Sequence, residues 1–335
     1  MSVRLVSKCA VLVAVLWTLY WFAAGYGIRS GLTEWFNTQR DAGWQADYAD
    51  LSTSGYPVNI RTIFDQPALA DPATGVAWQA EKLILSSPAW WPGHVTLTFP
   101  DTPQRLSYFD QTLILTTNAA RADLRLKPGT NLELQELSLH AGPWMLLRDQ
   151  DTLLGGADLI VSALQTETPS QYRFEISANA FQPGDIPRKT MRLPASWPVT
   201  FDALDLDMTV TFERAWDRRA IEDARPQPRS ISIKVLEIKW GDLRLFAAGK
   251  VTLDASGVPT GTIAVKADNW RDILNLAEQS GRLPSEIRNT AENVLSMLAG
   301  LNGNSQTLDV DLTLRDGFIA LGPLPIAAAP RIILR

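Results

Sequence analysis

Residues 204–211 read LDLDMTVT. Leu204, Leu206, Met208 and Val210 fall on one parity, and Asp205, Asp207, Thr209 and Thr211 on the other. Successive side chains of a strand point to opposite faces, so this period of two writes one oily flank and one hydrated flank. The rule extends outward in both directions. Downstream, Ile231, Ile233 and Val235 alternate with Ser232 and Lys234, and Leu308, Val310, Leu312 and Leu314 with Asp309, Asp311 and Thr313. Upstream, Val95, Leu97 and Phe99 alternate with Thr96 and Thr98, Leu124 and Leu126 with Asp123, Arg125 and Lys127, and Leu132 and Leu134 with Asn131, Glu133 and Gln135. Half-buried antiparallel strands carry this signature.

From Trp44 onward the period of two dominates, and the expected fold class is mainly β. An N-terminal transmembrane helix precedes a large curved antiparallel β-sheet, groove- or sandwich-like, with a helical pair near the C-terminus. After Val235 the apolar phase slips to Leu236, Ile238 and Trp240, which calls for a bulge. Pro128-Gly129, Asp254–Gly257, Asn302-Gly303 and Asp316-Gly317 mark turns. Prolines cluster between strands, and residues 216–229 (WDRRAIEDARPQPR) read as an exposed connection. About fourteen strands at roughly 4.8 Å apiece would span on the order of 70 Å.

Two regions break the rhythm. Cys9–Ile28 is uncharged over twenty residues and follows Arg4 and Lys8. That is the length a helix needs to cross a bilayer, and basic residues on the short side keep that side cytoplasmic. Trp17, Tyr20, Trp21 and Tyr26 crowd its second half, as aromatics do at a membrane boundary. A cleaved signal peptide is the competing reading. Its apolar run would be shorter, although Ala23, Ala24 and Gly25 offer a peptidase small residues. The expected layout is residues 1–8 cytoplasmic, 9–28 spanning the inner membrane once, 29–43 a juxtamembrane helix and 44–335 a periplasmic β-rich domain. Trp35 and Phe36 in the juxtamembrane helix face either the membrane or the domain. Further on, Asn269 is positioned to cap a helix over 270–280 that Gly281 stops, and Pro284 opens a second helix reaching Gly300. In that second helix Ile287, Ala291, Val294, Leu295 and Leu298 form one stripe, which needs apolar cover. The helical pair at 269–300 is expected to lie on the open face or end of the sheet.

The 335 residues carry 31 Lys and Arg against 36 Asp and Glu, a net charge of −5. Nucleic acid is excluded as an expected partner, since phosphate binding needs a basic footprint. The one cysteine, Cys9, lies inside the apolar segment, so the exported part is stabilised by burial without disulfides. Twelve tryptophans are many for this length. Core packing accounts for most, with a cleft or bilayer contact open to some.

Catalytic chemistry finds little support. His94 and His140 have no metal-ligand spacing around them, and no GxSxG or exported cysteine supplies a nucleophile. Asp202, Asp205 and Asp207 are acidic neighbours, but the Leu-Asp alternation recurs at Asp309 and Asp311 and reads as a solvated strand face. Gly155-Gly156 lacks the context of a phosphate loop. No catalytic, cofactor or metal residue is assigned, and no enzyme activity is expected.

The apolar anchor, Gly55-Tyr56-Pro57, SPAWWPGHVTLTFP (residues 87–100), Trp216-Asp217-Arg218, WGDLRLFAAGKVTLDASGVPTGTIAVKADNW (240–270) and DGFIALGPLPIAAAP (316–330) together resemble an uncharacterised, mainly alphaproteobacterial family, the domain of unknown function numbered twenty-one twenty-five. Those motifs are structural, so the resemblance implies no reaction. The block running from Leu245 through Gly249, Val251, Leu253, Asp254, Gly257 and Pro259 to Gly261 is also similar to parts of AsmA-like envelope proteins. That similarity implies an anchored, strand-rich protein concerned with envelope lipids.

Two functions follow as expectations. An uncovered apolar sheet face is a trough in which an acyl chain gains about 0.8 kcal/mol per methylene. The candidate lining is Val95, Leu97, Phe99, Leu204, Leu206, Met208, Leu312 and Leu314, with Val310 left unassigned. The alternative is a non-catalytic scaffold whose apolar faces meet each other and which docks other envelope components. Expected partners are the inner membrane, lipids or other envelope proteins.

Overall fold

In the computed structural model, residues 3–72, 74–281, 283–301 and 304–334 are described, except for the side chains of residues 3, 285–287 and 301. The chain divides into two units, Met1–Leu132 and Glu133–Arg335. The turn expected at Asn302-Gly303 and the side chain of Ile287 lie outside the described residues.

The first unit opens with helix α1 (Val3–Asp41), one uninterrupted rod through both the expected anchor and the expected juxtamembrane helix. It ends where Trp44 N–H bonds the Gln39 carbonyl (2.9 Å) and Gly43 turns left-handed at φ +91°. Five short strands follow: β1 (Gln45–Asp47), β2 (Asp50–Ser54), β3 (Asn59–Asp65), β4 (Ala68–Asp71) and β5 (Val76–Gln79). Five more complete the unit: β6 (Lys82–Pro88), β7 (His94–Thr98), β8 (Gln104–Tyr108), β9 (Gln111–Thr117) and β10 (Arg121–Leu126). They form two antiparallel runs, β1-β4-β5-β8-β9 and β2-β3-β6-β7-β10.

Chain order explains the two runs. β3 and β4 are one arm of a long hairpin, and β5 and β6 the other; both arms bend at mid-length from one sheet into the other. Gln66 takes φ 50° at one corner, and the ladder continues through Gln66 N–H to Glu81 O (2.8 Å) and Ala80 N–H to Pro67 O (3.1 Å). The hairpin β7–β8/β9–β10 repeats the device, with Ala119 at φ 51° and Phe99 N–H on Ala120 O at 3.0 Å. Strands that switch sheets through such bends make the corners of packed β-structures. The second half of α1 lies on this unit. Phe36 is buried and stacks on Phe64 at 5.4 Å, with Trp35, Tyr48 and Leu51 in the same cluster, so Phe36 packs on the domain.

The second unit begins with β11 (Leu134–Ala141), β12 (Trp144–Arg148), β13 (Asp151–Gly156), β14 (Asp158–Gln165), β15 (Gln171–Asn179) and β16 (Gln182–Pro183). The short α2 (Asp185–Thr190), β17 (Ala203–Phe212), one-turn α3 (Arg219–Glu222), β18 (Pro228–Trp240), β19 (Leu243–Leu253) and β20 (Pro259–Asp268) come next. Helices α4 (Arg271–Gln279) and α5 (Ser285–Leu301) precede β21 (Thr307–Arg315), β22 (Phe318–Leu321) and β23 (Leu324–Ala328). Within the unit, β12-β13-β16 form one antiparallel run and β11-β14-β15-β17-β18-β19-β20-β21-β22-β23 the other. The described residues thus hold 23 strands. The excess over the sequence count comes from the corners: each bent arm reads as one alternating run and folds as two strands.

The phase slip is a bulge. Met208 pairs with Ile233 and Asp207 with Val235, so Lys234 is the extra residue. At Asp316-Gly317 both φ values are positive, 53° and 78°, as a two-residue hairpin of the primed type requires. Gly281 stops α4 at φ +73°. Asn269 departs from its expected role. It adopts φ 56° to turn β20 into the helix, and its side-chain amide donates to Asp242 O (2.6 Å) instead of capping.

Candidate functional site: an apolar sheet face closed at its two ends

In the second unit the apolar parity runs unbroken from strand to strand. The strand registers align Leu139, Val161, Ile176, Leu206 and Leu236 across β11, β14, β15, β17 and β18. The same row continues through Ala247, Val265 and Val310 on β19, β20 and β21. A neighbouring row contains Leu137, Phe174, Met208, Ile233, Ile263 and Leu312. Every large side chain in these two middle rows is half-buried, and only small ones such as Ala163 and Ala247 are fully covered. Lateral neighbours produce much of that partial burial, with Val310 also in the helical cluster and Phe174 and Met208 against the Tyr172–Phe212 cluster. A second layer laid on top would have driven Leu and Ile to near-zero exposure.

Both ends of the face are covered. At one end α4 and α5 press Trp270 (1% exposed) and Ala299 onto Ala267 and Leu308, with Ile273, Leu295, Leu298 and Val310 around them. Polar contacts lock the helices together. Arg271 lies 4.4 Å over the Trp270 ring and reaches Glu292 (3.2 Å), while Arg288 reaches Glu278 (2.9 Å) and Glu292 (3.1 Å). At the other end Tyr172, Val210 and Phe212 are buried with Trp216, Ile231 and Leu334 packed against them. The Tyr172 hydroxyl is the knot. It donates to Leu134 O (3.0 Å) and accepts from Trp216 N–H (3.1 Å) and the Gln165 amide (3.2 Å). Burial raises the Tyr172 pKa above its ordinary value. Beside it Asp217 is gripped by Arg219 (2.7 Å) and Arg214 (3.0 Å), which lowers its pKa. The Trp216-Asp217-Arg218 motif is thus a plug.

The opposite face of the same strands is hydrated. Asp207 there accepts two bonds from Arg173 (2.8 and 3.0 Å) and lies 3.1 Å from Lys234, the bulge residue. Arg173 foremost, then Lys234, brings the Asp207 pKa down to about 2. Asp205 and Asp207 line a shallow cleft of about 290 Å³ with Ser162, Glu175 and Ser177. His140 pairs with Asp158 at 2.8 Å where β11 meets β14, and His94 lies 5.6 Å from the Trp91 ring.

Of the candidate lining residues, Leu206, Met208 and Leu312 stand in the two middle rows. Leu204 lies one register step toward the helical plug, opposite Ile238. Leu314 is buried, opposite Ile319. Val95 and Leu97 lie on β7 in the first unit, paired with Leu124 and Ala122, and Phe99 follows at the corner. Sequence reading passed over Leu137, Leu139, Val161 and Ile176. Ile160 and Leu164, exposed on the wet face, blur the alternation of β14. Leu137/Leu139 and Phe174/Ile176, each spaced by two, were the available signal. The first unit also carries an open cleft of about 530 Å³ lined by Arg40, Trp44, Leu69, Trp78 and Arg105 among others. Arg40 is committed to Asp47 and the Ala46 carbonyl.

These features define a class: a mainly β protein with a half-open apolar sheet face and one N-terminal helix long and apolar enough to span a membrane. The chain belongs to a bacterial family described as uncharacterized protein conserved in bacteria (DUF2125), whose pattern matches residues 21–330. No curated protein matches it.

Proposed function

We propose that this protein is a non-catalytic, inner-membrane-anchored periplasmic module that binds or transfers lipids or similar amphiphiles. The observation that carries the reading is the pair of middle rows, half-buried between two plugged ends. The row from β11 to β21 crosses eight strands, about 34 Å at the usual strand spacing, which is long enough for an acyl chain. A chain laid there covers side chains that the protein itself leaves uncovered, at about 0.8 kcal/mol per methylene. The helical plug is held together by ion pairs between α4 and α5 and closes one end of the face. The test is mass spectrometry of the full-length protein purified in mild detergent. Stoichiometric lipid supports the reading, and clean protein with a dry, stable fold refutes it.

A second reading, docking of another envelope component, draws on β23. That edge strand is exposed along its whole length, with Leu324 58% and Ile326 52% exposed. Pro325 interrupts its hydrogen-bonding donors, as edge strands that avoid pairing do. A photocrosslinker at Ile326 that captures one protein reproducibly, with no lipid in the preparation, would favour this alternative.

A further inference from the structure

Two motifs of the first unit remain without a role: Gly55-Tyr56-Pro57 and Pro88-Ala89-Trp90-Trp91-Pro92. Folding brings both against the same stretch of α1, inside the apolar segment. Trp17 Nε1 donates to Pro57 O (3.0 Å), Tyr20 Oη to Ala89 O (2.7 Å) and Trp21 Nε1 to Asn59 O (2.9 Å). The Thr18 and Tyr56 hydroxyls meet at 2.8 Å. Trp21 is buried with Ile60 and Ala89, and Tyr56 packs edge-on to Trp21 at 5.6 Å.

The outward side of this rim is apolar. Tyr56 is 51% exposed, Val58 49%, Trp90 62% and Trp91 46%, and on α1 Phe22, stacked on Tyr56 at 6.3 Å, is 61% exposed. Residues 55–58 and 88–93 contain no charge. The patch is continuous with the exposed apolar surface of the helix.

We propose that this rim is a membrane-insertion surface, seated among the headgroups and upper acyl chains of the leaflet that α1 crosses. The inference rests on the anchored reading of α1. Depth sets the level: the helix contacts lie about 10 Å (Trp21) to about 16 Å (Trp17) back from Ile28, where the uncharged segment ends, so the rim reaches to and past the roughly 5–10 Å at which interfacial elements bury their apolar faces. Backbone chemistry agrees independently. Irregular backbone enters lipid only where its polar groups are satisfied within the protein. Here three side chains of the spanning helix supply donors to rim carbonyls, Ala89 N–H bonds Val58 O (2.9 Å) and Asn59 N–H bonds Gly55 O (3.0 Å). The rim also leads into β7, where Val95 and Leu97 are half-buried, so a lipid leaving the leaflet meets an apolar strand at once.

The test uses full-length protein in phosphatidylcholine vesicles. Cys9→Ser supplies the background, and an environment-sensitive fluorophore is attached at Leu12→Cys, Trp90→Cys, Val58→Cys or Gln111→Cys, the last on the β8–β9 tip. Nitroxide lipids quench from either the headgroup end or the methyl end of the acyl chain. The expected result is a Leu12 site quenched by the lipid nitroxides near the opposite boundary of the span and an unquenched Gln111 site. The Trp90 and Val58 sites should be blue-shifted and lose more emission to the shallow nitroxide. Aqueous, unquenched probes at both rim positions with Leu12 quenched overturn the insertion proposal and leave the anchor standing. An unquenched Leu12 site overturns the anchor and the insertion proposal together.

Discussion

Replacing Leu206 by Asp separates an open trough from an ordinary core. Leu206 stands in the middle row between Ile176 and Leu236 and is half-buried. Full burial of a leucine is worth about 1.5–3 kcal/mol, so losing the covered half costs about 1 kcal/mol. A carboxylate on a face that water reaches stays hydrated and adds about 1 kcal/mol more. The sum, about 2 kcal/mol, lowers Tm by about 4–8 °C for a unit of this size. A sealed core would instead lose about 2–5 kcal/mol to the cavity and several more to a stranded charge, and would not fold. Ligand loss is the larger effect. A chain crossing one strand spacing places about four methylenes over Leu206, about 3 kcal/mol, or on the order of a 100-fold weaker hold. The assays are a thermal melt and lipid mass spectrometry on the same preparation. Leu314→Asp, on the same parity but buried, is the control and should unfold the unit. A Leu206→Asp protein that aggregates as Leu314→Asp does, or that folds and keeps its lipid, refutes the reasoning.

Tyr172→Phe leaves Leu134 O and Trp216 N–H without their shared partner. It should cost about 1–3 kcal/mol and speed amide exchange across 213–229. Arg173 and Lys234 hold the Asp207 pKa at about 2 against an ordinary 3.8. The stabilisation is therefore complete above pH about 4 and is lost as pH falls through about 2. Melts over that range should show a shallower acid drop for Asp207→Asn than for the native protein. A Cβ at Gly249 would sit 2.3 Å from Thr262 O, and one at Gly261 2.2 Å from Lys250 O. Gly249→Ala should therefore destabilise by about 1–3 kcal/mol, read as a lower denaturant midpoint with circular dichroism otherwise retained.

Parity made the sheet legible because each strand keeps one face against apolar neighbours, and selection for that face writes itself residue by residue, as in LDLDMTVT. The bulge was legible for the same reason: inserting Lys234 shifts every later side chain by one, and the text shows the shift. Corners left no such mark. Gln66, Ala119 and Ala180 take positive φ without being glycine, because the ladder on either side fixes the geometry and no side-chain type is demanded. The tips at Phe109 and Asp149 are equally silent. Plugs fall between these cases. The stripe of α5 announced that something apolar would be covered, yet only register could say that Ala267 and Leu308 were the place. What remains open on that face is likewise a property of register: Leu139 and Val310 lie 171 residues apart in the chain and share one row only because six strands pair between them. Between its ends a row built that way gains cohesion chiefly from neighbours on either side, with the helices reaching it at Val310, which is the physical reason a ligand has something left to contribute.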